Sequence, residues 1–151
     1  MPDVVITQPQ ESDIPTISAL AWPDPEVAKR KQIRLRNWYD AGSIIVAKQD
    51  VAVIAFAVFD NSFFDNAFIR WILVADSHRR RGIARGMVKA LMERSPTAKL
   101  FTSTTESNYA MRLLLDGLGW ENVGSVRGIA EADPEMFYRA PGEAARALRI
   151  A

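Results

Sequence analysis

The sequence predicts one mixed α/β domain. Short runs of β-branched residues alternate with segments of helical apolar spacing, and no linker, repeat or low-complexity block separates them. The chain has 151 residues and is 48% hydrophobic, which is enough for one core and too little for two. We therefore expect a single domain over residues 1–140, followed by an alanine-rich tail at residues 141–151.

The N-terminal part predicts one strand and two helices. The run "VVITQ", Val4 to Gln8, is typical of a short strand. Ser12 or Asp13 then caps a helix that carries Pro15 in its first turn. A second helix, from Glu26 to Tyr39, combines apolar spacing with five basic residues.

The central part predicts an antiparallel meander of three strands. The stretch "SIIVAKQDVAVIAFAVF" contains two strands around a turn at Gln49 and Asp50. A third strand, "AFIRWILVA", follows a polar break at Asp60 to Asn66 and ends at Val74. Strands that follow one another so closely usually pair as neighbours.

The C-terminal part predicts two helices and three strands. Helical spacing begins after Gly82, and "KLFTST" then indicates a strand. Ser107 or Asn108 caps the last helix, whose apolar face carries Met111, Leu114, Leu115 and Leu118. The strands "NVGSVRGI" and "EMFYRA" close the domain. The totals are seven strands and four helices.

Composition argues against several classes of function. The 19 basic residues are balanced by 18 acidic ones, so no domain-wide positive field attracts nucleic acid. The chain has no cysteine and one histidine, which leaves metal chemistry poorly supplied. The longest apolar run, Val51 to Phe59, is too short to cross a membrane. We expect a cytoplasmic protein without nucleic acid, metal or membrane as a partner.

The stretch "DSHRRRGIARGMV", from Asp76 to Val88, predicts an anion site. A strand end, a turn around Arg81 and Gly82 and a helix start bring free N–H groups and the positive end of a helix dipole to one place. Gly82 allows close approach, and the arginines add charged donors. A pyrophosphate fits this arrangement well. The alternative is a solvated basic turn that caps a core helix.

Two motifs in order resemble the GNAT-type N-acetyltransferases. Arg79-Arg80-Arg81-Gly82-Ile83-Ala84 matches the family pattern [QR]-x-x-G-x-[GA], and "NYAMRLLLDGLGW" is similar to the later N-x-x-A-x-x-L-Y-x-x-x-G-F element. The resemblance runs from about Val4 to Arg139. It implies the GNAT fold, an α/β (α+β mixed) architecture with a central, mostly antiparallel twisted sheet of about seven strands flanked by about four helices.

The resemblance also implies acetyl-CoA as cosubstrate and assigns its contacts. The main-chain groups of Leu73 and Val74 would pair with the pantetheine arm like an added strand. The pyrophosphate would lie on the turn formed by Arg79, Arg80, Arg81, Gly82, Ile83 and Ala84. Asn108 would contact the pantetheine, while its alternative role is that of a helix N-cap.

One position departs from the family pattern. Leu115 stands where many members carry a tyrosine proposed to protonate the leaving thiolate. A thiol pKa of about 8.5 makes unassisted release near neutral pH cost on the order of 2 kcal/mol, so loss of the acid is tolerable. Ser103 and Glu106, at the end of the preceding strand, are the best-placed catalytic candidates, and Asp60 and Asp65 are further candidate bases.

The acceptor is left open between a small amine and a protein N-terminus. A lysine-like amine costs roughly 4 to 5 kcal/mol to deprotonate near neutral pH, and a peptide α-amine costs roughly 1 kcal/mol. The second predicted helix, where the family lines its acceptor pocket, carries basic residues that would suit a partly acidic substrate, unless they form only a solvated helix face. An apolar acceptor wall is the other candidate, formed by Trp22, Trp38, Phe63, Phe64 and Trp71. The competing function is a non-catalytic acyl-CoA binding module, and a homodimer is left open.

Overall fold

The computed structural model describes residues 3–95 and 99–142, so residues 143–151 of the predicted tail lie outside the described part. Seven strands occur within these ranges: β1 Val4–Thr7, β2 Ile44–Gln49, β3 Ala52–Phe63, β4 Asn66–Val74, β5 Leu100–Thr105, β6 Glu121–Val126 and β7 Glu135–Arg139. The four described helices are α1 Ile14–Ala21, α2 Pro25–Asp40, α3 Ile83–Arg94 and α4 Tyr109–Gly117. The predicted fold class is confirmed.

The strands form one sheet in the order β1-β2-β3-β4-β5-β7-β6. Strands β2, β3 and β4 are neighbours, as expected for a meander. The β4–β5 pair is parallel, and it extends over three residues on each strand, Ala67–Ile69 and Leu100–Thr102. The pairs β1–β2, β2–β3, β5–β7 and β6–β7 are antiparallel, so the sheet is mostly antiparallel.

The polar break expected at Asp60 to Asn66 is shorter in the structure. Strand β3 continues through Phe63, and only Phe64 and Asp65 form the turn. Both residues have positive φ, 52° and 63°, the left-handed geometry that two-residue hairpins require. Asn66 Nδ2 donates to the Phe64 carbonyl at 3.1 Å and braces the turn. The strand prediction failed here because Asp60, Asn61 and Ser62 are polar residues with low strand propensity.

The chain divides into two compact units, and the first comprises Met1–Phe59 and Trp71–Ala90. Its core is a cluster of buried apolar residues from α1, α2, β2 and β3: Ile17, Leu35, Ile44, Val46, Val53, Phe56 and Val58. Asp13 directly precedes α1, but its carboxylate accepts from the Gln10 amide at 2.7 Å instead of capping that helix. The same carboxylate pairs with Lys48 at 2.8 Å, which offsets the cost of burying the charge.

The second unit comprises Asp60–Arg70 and Leu91–Ala151. Helix α4 buries Leu115 and Leu118, while Met111 and Leu114 are half-buried. Trp120 follows the helix and is 4% exposed. Its indole Nε1 is buried without a hydrogen-bond partner among the described residues. Leu115 is therefore a core residue of this unit.

Strand β6 forms one edge of the sheet, with β7 as its neighbour. All six of its residues, Glu121–Val126, are exposed. The register with β7 shifts between Asn122 and Gly124, which produces a bulge. Glu121 forms an ion pair with Arg139 on β7 at 2.9 Å. The edge is thus irregular and charged at its start.

Candidate functional site

The basic turn connects β4 to α3 within the first unit. A single 3₁₀ turn at Asp76–His78 follows the strand, and α3 begins at Ile83. Arg80 and Gly82 have positive φ values of 64° and 75°. Turns that contain such left-handed residues can direct neighbouring backbone N–H groups toward a bound anion.

The backbone amides of this turn are free to bind an anion. The N–H of Gly86 donates to the Gly82 carbonyl at 3.0 Å, which is the first hydrogen bond of α3. The N–H groups of residues 80–85 have no acceptor in the part of the chain that the structure describes. Six successive unpaired donors at a helix start attract negative charge.

The three arginines of the turn are not equivalent. The Arg79 guanidinium pairs with Asp76 at 2.9 Å, and its Nε donates to the Val74 carbonyl at 3.3 Å. Arg80 and Arg81 are exposed, and within the described ranges their side chains have no ion pair or hydrogen bond. Two uncommitted cations therefore lie next to the free amides.

The next three positions of the turn differ in what they can offer a ligand. A β-carbon at Gly82 would have no heavy atom within 4 Å, so the space above this residue is open. Ile83 is 6% exposed and its side chain belongs to the core, which leaves only its backbone for binding. Ala84 is half-buried. Leu73 and Val74 at the end of β4 are also half-buried, and Leu73 packs against the core of the first unit.

Asn108 and the two predicted catalytic residues lie in the second unit. Asn108, not Ser107, caps α4, because its Oδ1 accepts from the Met111 N–H at 3.2 Å. Its Nδ2 donates to the Thr104 hydroxyl at 3.0 Å. The N-cap role is therefore confirmed. Ser107 instead binds the carboxylate of Asp133.

No hydrogen bond joins the side chains of Ser103 and Glu106 in the described part of the chain. Glu106 is exposed, and its backbone carbonyl accepts from Arg112 Nη1 at 2.8 Å. Ser103 is half-buried, and its hydroxyl lies beside the Glu135 carboxyl on β7, where it lowers the pKa of that group. Glu135 was not predicted as a site residue. The signal that points to it is the antiparallel pairing of β5 with β7, which places a carboxylate beside a residue already singled out.

Burial raises the pKa of Glu135 above its ordinary value. The negative charge of Asp133 raises it further, whereas the hydrogen bond from Ser103 opposes the shift because it stabilises the carboxylate. Of the other candidate bases, Asp60 is already paired and Asp65 is exposed. Asp60 accepts from Ser62 and pairs with Arg70 at 3.4 Å, and Asp65 is exposed in the β3–β4 turn.

The aromatic residues expected to form one wall fall into two ring clusters. Trp22, Trp38 and Trp71 contact one another in the first unit, with ring centroids 5.9 to 6.4 Å apart. Phe63 and Phe64 belong to the second unit, where Phe63 also contacts three other phenylalanines, Phe68, Phe101 and Phe137. A groove of about 700 Å³ lies between α1 and α2, and Lys29 and Arg36 line it among mainly apolar residues.

A model of the acetyltransferase (GNAT) family matches residues 14–120, which include both the basic turn and the capped helix α4. The chain belongs to the GNAT acetyltransferase family. A comparison with curated protein sequences finds no match. The two motifs occur along the chain in the order of the family pattern. Leu115 still departs from that pattern.

Solved structures of other GNAT proteins share the fold. An acetyltransferase of the GNAT family from Bacillus cereus ATCC 10987 is 26% identical, with a TM-score of 0.82 over 93% of this chain and 98% of that one. The ribosomal-protein-alanine N-acetyltransferase from Brucella melitensis is 19% identical, with a TM-score of 0.72 over 89% and 98%. The yncA protein from Salmonella typhimurium, solved with its cofactor acetyl-CoA, is 19% identical, with a TM-score of 0.73 over 91% and 92%.

Two kinds of feature are absent from the described part of this GNAT chain. No helix there is long and apolar enough to cross a membrane. No group of three or more histidine, aspartate or glutamate side chains is arranged to hold a metal ion within residues 3–95 and 99–142.

Proposed function

We propose that this GNAT protein transfers the acetyl group of acetyl-CoA to a primary amine of a small molecule or of a protein N-terminus. The amine attacks directly in a ternary complex, with both substrates bound. The observation that carries the proposal is the run of unpaired N–H groups at residues 80–85 beside two uncommitted arginines. Acetyl-CoA presents a pyrophosphate, which is the kind of anion such a run binds.

The residues of the basic turn fit a pyrophosphate in charge and in space. Arg80 and Arg81 supply cations without losing an existing partner, and Gly82 leaves its surroundings open. Arg79 is positioned to exchange its exposed pairing with Asp76 for a phosphate oxygen. Charge-assisted hydrogen bonds of this kind are among the stronger polar contacts in proteins. The turn therefore holds the charged end of the cosubstrate.

Leu73, Val74 and Asn108 would hold the pantetheine arm. The main-chain groups of Leu73 and Val74 would pair with its amides in the manner of an added strand. Asn108 uses one oxygen lone pair and one N–H in its present hydrogen bonds, so its amide keeps one acceptor and one donor position for a ligand. Acetyl-CoA supplies an activated acyl group as a thioester, and the protein's part is to hold it beside the amine.

A non-catalytic acyl-CoA binding module is the second candidate function. The observation that favours it is Leu115, which stands at the position of the family's acid and is 0% exposed. A buried leucine neither donates a proton nor reaches a ligand. Such a module would keep the anion site and bind acetyl-CoA without consuming it.

The test that separates the two candidates is thiol release from acetyl-CoA across a panel of small amines and peptides. Release with at least one amine supports the acetyltransferase. Binding of acetyl-CoA together with no release across the panel supports the module. Binding itself is measured by thermal melting, because a ligand at about 100 times its Kd stabilises the fold by roughly 2.7 kcal/mol. An unchanged melting temperature with millimolar acetyl-CoA would remove both candidates.

A further inference from the structure

Glu135 and Ser103 lie on one face of the sheet in the second unit. The β5–β7 register pairs Ser103 with Phe137 and Thr105 with Glu135. Directly paired residues and alternate residues along a strand point to the same face. Ser103, Glu135 and Phe137 therefore share a face, which places the Ser103 hydroxyl on the same side of the sheet as the Glu135 carboxylate.

The opposite face of these strands is the one that packs on α4. Thr104 and Tyr138 occupy the alternate positions and are buried. Asn108 donates to the Thr104 hydroxyl, and Arg112 Nε donates to the Tyr138 hydroxyl at 3.1 Å. Because α4 is bound to that side of β5 and β7, it does not use the face that carries Glu135.

The face with Glu135 also carries a cluster of four half-buried phenylalanines, which we call the Phe cluster: Phe63, Phe68, Phe101 and Phe137. Phe63 is at its centre, with ring centroids 5.0 Å from Phe68, 5.0 Å from Phe101 and 5.6 Å from Phe137. Phe137 is two positions from Glu135 on β7. Two positions along a strand on the same face correspond to roughly 7 Å.

Glu135 has no cationic partner in the described part of the chain. The arginine of β7, Arg139, is already paired with Glu121 of β6. The residues paired with Glu135 are Thr105 on β5 and Val126 on β6, and the preceding loop contributes the like charge of Asp133. Arg112 is bound to the Glu106 carbonyl and to Tyr138 on the α4 side. The half-buried carboxylate of Glu135 therefore lies beside an aromatic surface and has no positively charged partner among the described residues.

We propose that the acceptor amine binds on this face, with its ammonium at Glu135 and its apolar part against the Phe cluster, and that Glu135 is the general base. This inference rests on the proposed acetyl transfer. Charge complementarity defines the ammonium position, and the aromatic rings favour an apolar or aromatic group next to it. Ser103 is a positioning residue, because its hydroxyl stabilises the carboxylate and does not take the proton itself.

The proton balance of the step is complete without any further reactant. Glu135 takes one proton from the ammonium, and the freed lone pair forms the C–N bond while the C–S bond of the thioester breaks. The nitrogen then loses a second proton, which ends on the departing thiolate. Glu135 returns its proton to solvent, so each turnover releases one proton overall. The raised pKa suits this task, since a base is most effective when its pKa lies near the working pH.

The decisive variant is Glu135→Gln, assayed with 2-phenylethylamine against ethanolamine, an amine without an aromatic group. We expect kcat/KM for 2-phenylethylamine to fall by roughly 10²- to 10⁴-fold near neutral pH, with the acetyl-CoA melting shift unchanged. The loss should shrink as the pH rises toward the pKa of the amine, because less deprotonation is then required. Glu131→Gln, which changes an exposed carboxylate of the β6–β7 loop, is the matched control and should match the parent.

Two measurements keep the proposal testable if Glu135→Gln fails to fold. Ser103→Ala removes the hydroxyl that lowers the pKa of Glu135, so the acidic limb of the kcat/KM profile should move to higher pH. The second measurement is nuclear magnetic resonance of the Glu135 carboxyl carbon in the parent protein. Addition of 2-phenylethylamine should shift this signal and those of the Phe cluster.

The outcomes separate this inference from the function on which it rests. If the parent acetylates amines and Glu135→Gln stays within about threefold of it, Glu135 is not the base and the proposed function stands. A preference for ethanolamine would overturn the Phe cluster as the acceptor site. If the parent binds acetyl-CoA but acetylates no amine, the proposed function fails, and absence of a resonance shift with 2-phenylethylamine then also removes the binding site.

Discussion

The main-chain N–H of Trp120 donates to the carbonyl of Leu115 at 3.0 Å, and both side chains are buried. This hydrogen bond closes the C-terminal end of α4. Leu115, at the position where the family carries a tyrosine, lies in the core of the second unit. Leu115 therefore packs in the core of this unit at the same position at which it departs from the family pattern.

Replacement of Leu115 by tyrosine should destabilise the protein. The position is 0% exposed, so the larger ring must overpack the core, at a cost of about 1 to 3 kcal/mol. Binding of acetyl-CoA should persist, because the basic turn is not altered. Thermal melting with and without acetyl-CoA measures both effects. Leu113→Tyr, on the same helix at a 71% exposed position, is the control, and equal melting temperatures for the two variants would contradict the prediction.

Replacement of Gly82 by aspartate should abolish the acetyl-CoA melting shift while the fold survives. The side chain would place a negative charge where the pyrophosphate approaches the free amides. Gly42→Asp is a close control, because Gly42 has φ 71° against 75° for Gly82, and a β-carbon at either position has no heavy atom within 4 Å. Both variants carry similar backbone strain. If both lose the shift, strain and not charge explains the loss.

Replacement of Trp120 by phenylalanine should leave stability nearly unchanged. The indole Nε1 is buried without a partner among the described residues, and removal of an unsatisfied donor recovers about 1 to 3 kcal/mol. The smaller ring leaves a cavity whose cost opposes this gain. Urea unfolding should place Trp120→Phe close to the parent and Trp120→Ala about 3 to 5 kcal/mol below it. Equal losses for the two variants would indicate that the indole N–H has a partner.

Glu135 should make the stability of the parent depend on pH with a defined sign. Because its pKa is raised in the folded state, the folded protein binds more protons than the unfolded chain between the ordinary and the raised pKa. Stability attributable to this group is therefore greatest at low pH and falls as the pH rises through that window. Glu135→Gln should lack this decline.

The measurement is a series of unfolding curves from about pH 4 to about pH 8 for the parent, Glu135→Gln and Glu131→Gln. The difference between the parent and Glu135→Gln should change with pH in favour of the variant. Glu131→Gln is the control for the loss of one exposed carboxylate. A parent that gains stability over Glu135→Gln as the pH rises would show that the pKa is lowered in the folded state.

Local patterns were enough to predict the number of strands and helices, although the polar end of β3 at Asp60, Asn61 and Ser62 was not predicted as strand. Apolar periodicity and capping residues act over a few positions, and for this reason the cap of α4 was predicted to within two candidates, Ser107 and Asn108, of which Asn108 is the cap. The proximity of Ser103 and Glu135 was not predictable, because it depends on a strand pairing across more than 30 positions of sequence. The Phe cluster escaped prediction for the same reason, since its four rings come from β3, β4, β5 and β7.

The bulge in β6 affects the edge-to-edge association of copies of this protein in concentrated solution. A regular, exposed edge strand offers a template on which a second chain can add its own strand. In β6 the shift between Asn122 and Gly124 interrupts the row of hydrogen-bonding groups, and Glu121 adds a charge at its start. Growth of the sheet from molecule to molecule, and the fibres that such growth produces, is thereby disfavoured at this edge.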